Sequence, residues 1–257
     1  MVRSAERLLN ILLLFSHKTP LWGVTDISKA TKIPKTTVYN LLQTLENKGF
    51  VKQDKQTLKY ILGPKLLSLG STMIETLEIN QKAIGPAHRL AERSSLNCKV
   101  AIWDHDAIIV TVDIGAYHTG FLSKRLGPRL IAYCSALGRP FLAYMQPEEL
   151  ESYLENTELI AFTPNTITDK EQLLRELEDV RLLGYSINNE EINLGTSSIG
   201  VPIFNRELEV TASMCLEGPS DMVLGKEKDF YIKEIKHTAI EISVSMGWRA
   251  VSAGEIG

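Results

Sequence analysis

The chain has 257 residues, 44 % hydrophobic and 23 % charged, which suits a soluble globular protein of one or two domains with a substantial core. Its net charge of −3 by itself argues for no polyanionic partner, but the charge is unevenly spread. Residues 1–62 hold 10 Lys and Arg against 4 Asp and Glu, a balance of +6, and residues 63–257 hold 18 against 27, a balance of −9. Any phosphate contact is therefore expected in the head.

Cys98, Cys134 and Cys215 are odd in number and far apart, with no CxxC pair. This pattern offers neither a disulfide framework nor metal-ligand spacing, so a reducing, cytoplasmic location is expected, with no metal and no cofactor. No stretch approaches the ~20 apolar residues that span a bilayer. Leu8 to Phe15, following Arg3 and Arg7, superficially imitates a signal peptide. It is short, interrupted by Asn10 and not followed by a small-residue cleavage site. The run instead predicts a buried first helix over 5–15, capped by Ser4 and broken by Thr19-Pro20. Trp22 is expected to be a core anchor.

The stretch from Val24 to Phe50 carries the strongest signal. Asp26 to Ala30 reads as a short helix with Thr25 as its cap. After a turn, Val38, Leu41, Leu42 and Leu45 recur at i, i+3, i+4 and i+7, one face of a second helix. Pro34 fits its first position, and Lys48-Gly49 stops it. The opposite face collects Thr36, Asn40, Gln43 and Asn47, flanked by Lys35 and Tyr39. Two such helices form a helix-turn-helix. Phe50 to Lys52 and Leu58 to Leu62 then predict two strands around a polar turn, the wing of a winged helix. Lys52, Lys55 and Lys59 are positioned there for DNA phosphates. In this reading Lys35, Thr36, Thr37, Asn40 and Gln43 meet the major groove. Thr36, Asn40 and Gln43 are its best base readers, because amide side chains can pair bidentately with adenine.

Gly63-Pro64 marks a boundary. Leu66, Leu69, Met73, Ile74 and Leu77 form an apolar stripe on a linker helix over 63–79, which must pack on its own body or on a second subunit. A second helix is expected over 81–93. Cys98–Trp103 and Ala107–Val112 read as a hairpin turning at Asp104-His105-Asp106, which a polar turn explains better than a metal or acid–base site. A strand over 130–133 and helices over 136–145 and 147–154 follow. An amphipathic helix opens at Thr168-Asp169 and closes at Gly184, with a strand from Tyr185. Val201–Phe204 and Val210–Leu216 form a hairpin, and a last helix runs over 226–246. Antiparallel hairpins between helices, without βαβ alternation, indicate an α+β body with a central antiparallel sheet.

The chain has no GxGxxG, no GxxxxGK[ST], no GxSxG elbow and no HExxH. Cys134 and Ser198 could be nucleophiles, but no nearby feature supplies a base, so no catalytic residue is assigned. Gly195 to Gly200 is read as a turn of small and hydroxyl residues. It offers free N–H groups and hydroxyls to a carboxylate or a sugar-like ligand, or else is a plain surface loop.

The chain resembles the IclR-type transcriptional regulators over nearly its whole length. In the head the likeness lies in IPKTTVYNLLQTLENKGFV and KYILGPKLLSLG. In the body it lies in SALGRPFLAY, TITDKEQLLRELEDVRLLGYSINNEE, GTSSIGVPIF and LEGPS, in that order and spacing. The resemblance implies a GAF-like effector domain over 80–257 behind a winged helix over 1–62. It also implies a dimer or dimer of dimers, and binding to double-stranded, palindromic operator DNA modulated by a small metabolite, often a carboxylic acid. It maps the effector pocket onto Thr119, Leu122, Leu130, Ala136, Leu137, Asn188, Thr196 and Ser198. The family often has Asp at position 188 and Cys at 198, so Asn188 and Ser198 here predict a neutral polar pocket with an added amide donor that tolerates an anionic effector. Arg139 stands where Lys is usual, a change expected to matter little. A second class of function stays open: a metabolite-binding enzyme or sensor whose winged helix is only a protein-interaction module.

Overall fold

Apolar periodicity in the head becomes three helices around one small core. In the computed structural model, which describes residues 2–16, 18–115 and 129–249, the chain divides into two compact units, 1–75 and 76–257. The first opens with α1 (Arg3–Leu13), α2 (Val24–Thr31) and α3 (Lys35–Asn47), followed by β1 (Val51–Gln53) and β2 (Tyr60–Leu62). Ile11, Ile27, Val38, Leu42 and Tyr60 are fully buried and pack together. The leucine run of α1 wraps around the helix, so it buries Ile11 but leaves Leu9 and Leu13 exposed.

Three expected caps are corrected. Val2, not Ser4, precedes α1, and Gly23, not Thr25, precedes α2, in neither case with a side-chain cap. Pro34 is itself the residue before α3 rather than its first member. α1 and α2 therefore start earlier than the polar residues suggest, and α3 one residue later than Pro34 does. Gly49, at φ 75°, makes the left-handed stop that an L side chain resists. The wing pairs Val51 with Leu62 and Gln53 with Tyr60, antiparallel. Trp22 anchors it from outside: its backbone bridges Tyr60, and its indole N–H donates to Leu14 O at 3.0 Å. The next helix, α4 (Pro64–Thr76), ends before Leu77 and has no buried residue.

The second unit contains α5 (Glu78–Ser94), β3 (Asn97–Asp104), β4 (Ala107–Ile114), β5 (Arg129–Ile131), α6 (Arg139–Tyr144), α7 (Pro147–Asn156) and α8 (Lys170–Leu183). It continues with β6 (Ser186–Asn189), β7 (Thr196–Phe204), β8 (Val210–Pro219), α9 (Ser220–Val223) and α10 (Lys228–Ser245). The strands form one antiparallel sheet in the order β5-β4-β3-β8-β7-β6. Strand side chains alternate between its faces. Val100, Ile199, Val201, Met214 and Leu216 pack with Leu90 of α5 and Ile235 and Ile242 of α10. On the other face Ala101, Val110 and Cys215 pack with Ala136, Leu137 and Phe141. There the Trp103 ring lies 5.6 Å from Phe141 and 6.0 Å from Tyr153. Asp104-His105-Asp106 is a hairpin turn with His105 at φ 60°. Asp169 caps α8 by accepting from the Gln172 N–H at 2.8 Å, and Gly184 ends it at φ 72°.

The expected turn at 195–200 is instead the start of β7. Ser197 and Ser198 pair with Asn189 and Asn188 on one side and with Gly218 and Glu217 on the other. Their backbone groups serve the sheet and are not free for a ligand. Gly200 is needed here because an added Cβ would lie 1.9 Å from Ala136 O. That close approach lets the 132–138 segment lie flat on the strand.

Candidate functional site

Two surfaces collect the residues singled out in the sequence, one in each unit. In the first, α3 buries Val38, Leu42 and Leu45, which turns the opposite side outward. Lys35, Thr36, Tyr39 and Asn40 are exposed and Thr37 is half-buried. Ser28 of α2 fixes the turn by donating to Ile33 O at 2.7 Å, and Lys32 takes the left-handed conformation that the reversal requires.

Gln43 departs from the expected reading. It is half-buried, and its amide donates toward Glu46 at 3.3 Å and the Tyr60 hydroxyl at 3.4 Å. Glu46 in turn accepts from the Gln53 N–H at 2.9 Å. These groups brace α3 against the wing, so Gln43 is placed as a strut rather than as a free base reader. At the wing tip the Asp54 carboxylate accepts from the Thr57 N–H and hydroxyl, both at 2.7 Å, and from the Gln56 N–H at 3.2 Å. The bond from the Thr57 N–H, above all, holds its pKa below the ordinary 3.8. Lys52, Lys55 and Lys59 are all exposed around this turn.

In the second unit a cavity of about 300 Å³ opens against the sheet face that carries Ser198, Cys215 and Glu217. Of the residues that the resemblance assigns to an effector pocket, Leu130, Leu137, Asn188, Thr196 and Ser198 line it. Thr119 and Leu122 lie outside the described residues. Ala136 is not in the lining: it is buried one layer behind, against Gly200, and its carbonyl accepts from the Ser186 hydroxyl at 2.8 Å. Asn188 is also less available than expected. Its amide donates to Cys134 O at 2.6 Å and its oxygen accepts from the Glu191 N–H at 3.1 Å.

Sequence reasoning missed two charged members of the wall among the described residues. Lys99 and Glu217 both line the cavity and form an ion pair, with side chains only 7 % and 22 % exposed. The pocket is therefore not built from neutral groups alone. The available signal was a charge inside the otherwise apolar strand run CKVAIW.

Below the cavity Arg139, 1 % exposed, is a hub. Its guanidinium donates to Tyr133 O at 2.9 Å, Ile187 O at 2.6 Å and Glu191 at 2.6 Å. Burial pushes the Glu191 carboxyl up, and Arg139 partly opposes this. A lysine could not span these directions, so Arg139 matters more than expected. Burial pushes the Cys134 thiol up to about 12, which disfavours the thiolate that a nucleophile needs. Among the described residues no group of His, Cys, Asp or Glu could hold a metal, and no helix is long and apolar enough to cross a membrane.

A helix-turn-helix on a basic unit, joined to an acidic unit with a ligand-sized cavity, defines a DNA-binding transcriptional regulator. Residues 4–55 match the IclR helix-turn-helix domain and residues 71–244 the bacterial transcriptional regulator IclR C-terminal domain. The chain belongs to the IclR family. It is similar to the HTH-type transcriptional regulator XynR of Escherichia coli, 30 % identical over 97 % of this chain and 99 % of that one. It is likewise similar to KdgR of the same organism, 30 % identical over 88 % and 86 %. Among solved structures, an IclR regulator from Alicyclobacillus acidocaldarius superposes with a TM-score of 0.82 at 29 % identity, covering 96 % of this chain and 100 % of that one. An IclR homologue of Microbacterium hydrocarbonoxydans complexed with 4-hydroxybenzoate shares the fold, with a TM-score of 0.78 at 22 % identity over 95 % and 99 %. XynR and KdgR are both transcriptional regulators rather than enzymes.

Proposed function

We propose that this regulator binds its operator as a dimer or dimer of dimers and that a small carboxylic acid, held in the sheet cavity, modulates that binding. The observation that carries the reading is the cavity itself: about 300 Å³, within the range of small-molecule sites, with apolar side chains, hydroxyls, two asparagines and the Lys99–Glu217 ion pair in its wall. The Microbacterium homologue, of the same fold, was crystallised with a small carboxylate, which supports the ligand class. Lys35, Thr36, Thr37, Tyr39 and Asn40 meet the major groove, and Lys52, Lys55 and Lys59 hold the backbone. The linker helix, with Leu69 and Met73 of its apolar stripe exposed one turn apart, supplies the apolar face for pairing. The effector acts only by binding two arrangements of the dimer unequally. The place of action is the cytoplasm.

Fluorescence anisotropy tests this, using full-length protein and DNA from upstream of its own gene, across a salt series and with a panel of small carboxylates. The expected result is tight, steeply salt-dependent binding to that DNA over a scrambled duplex, shifted by at least one acid. Equal, weak binding to both duplexes at every acid tested would overturn it.

A further inference from the structure

Lys99 lies mid-strand on β3, on the cavity side of the sheet, beside Cys215 in register on β8. Its ammonium carries three N–H donors, is almost wholly buried and has Glu217 as its partner among the described residues. A buried ion pair is poor value as a stabiliser, because desolving two charges offsets their attraction. At a cavity wall it has another use. The pair presents a donor-only group next to an acceptor-only group, with the Ser198 hydroxyl, in register with Glu217, beside them.

We propose that Lys99 and Glu217 select the effector: Lys99 takes its carboxylate, and Glu217 accepts from a hydroxyl or ammonium on the adjacent carbon. The ligand class is thus a small 2-hydroxy or 2-amino acid, and this rests on the reading of the cavity as the effector site. A plain acid satisfies Lys99 but brings a second acceptor against Glu217, which loses affinity. A 2-donor offsets that conflict with a hydrogen bond to the Glu217 carboxylate. The cavity, at the small end of ligand sites, limits the class to compact molecules.

The test uses the full-length protein and isothermal titration calorimetry with three matched probes: butyrate, 2-hydroxybutyrate and 2-aminobutyrate. The variants are K99Q, E217Q and K99Q/E217Q; the double variant removes both charges of the pair, should a single one fold poorly. Wild type is expected to bind one of the 2-substituted acids at least about tenfold more tightly than butyrate, the loss of one charge-assisted hydrogen bond. K99Q is expected to weaken all three, E217Q to abolish the preference while keeping butyrate binding, and the double variant to lose both. Equal binding of the three by wild type, an unchanged preference in E217Q, or no binding of any probe by folded wild type overturns the proposal. Operator anisotropy on the same samples keeps the two readings apart. Probes that bind with the expected preference but leave DNA affinity unchanged refute the effector reading and not the selection by Lys99 and Glu217.

Discussion

Arg139 joins three backbone segments that are remote in sequence: the stretch after β5, the edge strand β6 and the loop leading into β7. R139K keeps the charge but cannot reach Tyr133 O, Ile187 O and Glu191 at once, which leaves buried acceptors unmet. The expected cost is about 2–4 kcal/mol in urea unfolding of the effector unit, and a loss below about 0.5 kcal/mol would show the hub to be dispensable. Asp54 makes a different, local prediction. Its carboxylate is favoured in the folded wing, so the contribution is present in full above about pH 3.8, its ordinary value, and is lost as pH falls through the depressed one. The Thr57 amide resonance should follow that titration. At neutral pH, D54A should loosen the wing without shifting the thermal midpoint of the whole chain.

At the scale of elements, α3 and the wing divide the work of recognition. Asn40 is exposed on the helix, so N40A is expected to relax sequence preference by about 1–3 kcal/mol at one base pair, read by competition with single-base operator variants. Each of K52A, K55A and K59A should instead weaken all duplexes alike and reduce the salt slope by about 1. A K55A protein with altered base preference and an unchanged slope would contradict this division. Gln43 illustrates how element contacts redirect a residue: the wheel places it on the reading face, and Glu46 and Tyr60 draw its amide to the wing.

For the whole molecule the prediction concerns assembly. The linker helix α4 exposes Leu69 and Met73, one turn apart on its apolar stripe, in the isolated chain, a surface that pairing would cover. L69E/M73E is expected to shift the protein toward monomer in analytical ultracentrifugation. Operator affinity should fall by more than tenfold, because two half-sites would no longer be bound together. An unchanged sedimentation profile would place the subunit interface elsewhere.

The sequence alone determined what depends on local period and chemistry. The 3.6-residue repeat of α3, the Gly49 and Gly184 stops, the Asp169 cap and the antiparallel hairpins all follow from neighbours within a few residues. The regulator class was legible for the same reason, since it rests on a helix, a turn and a wing that are contiguous in the chain. Only the tertiary structure decided the cavity. Thr196 and Ser198 read as a turn because small hydroxyl residues favour turns, yet pairing to β6 and β8 made them strand. Lys99 and Glu217 lie more than a hundred residues apart and meet only because β3 and β8 are neighbours in the sheet. Arg139 and Glu191, 52 residues apart, likewise meet only in the folded unit. Strand order and the faces it brings together are set by the packing of the whole unit, which no window of sequence contains.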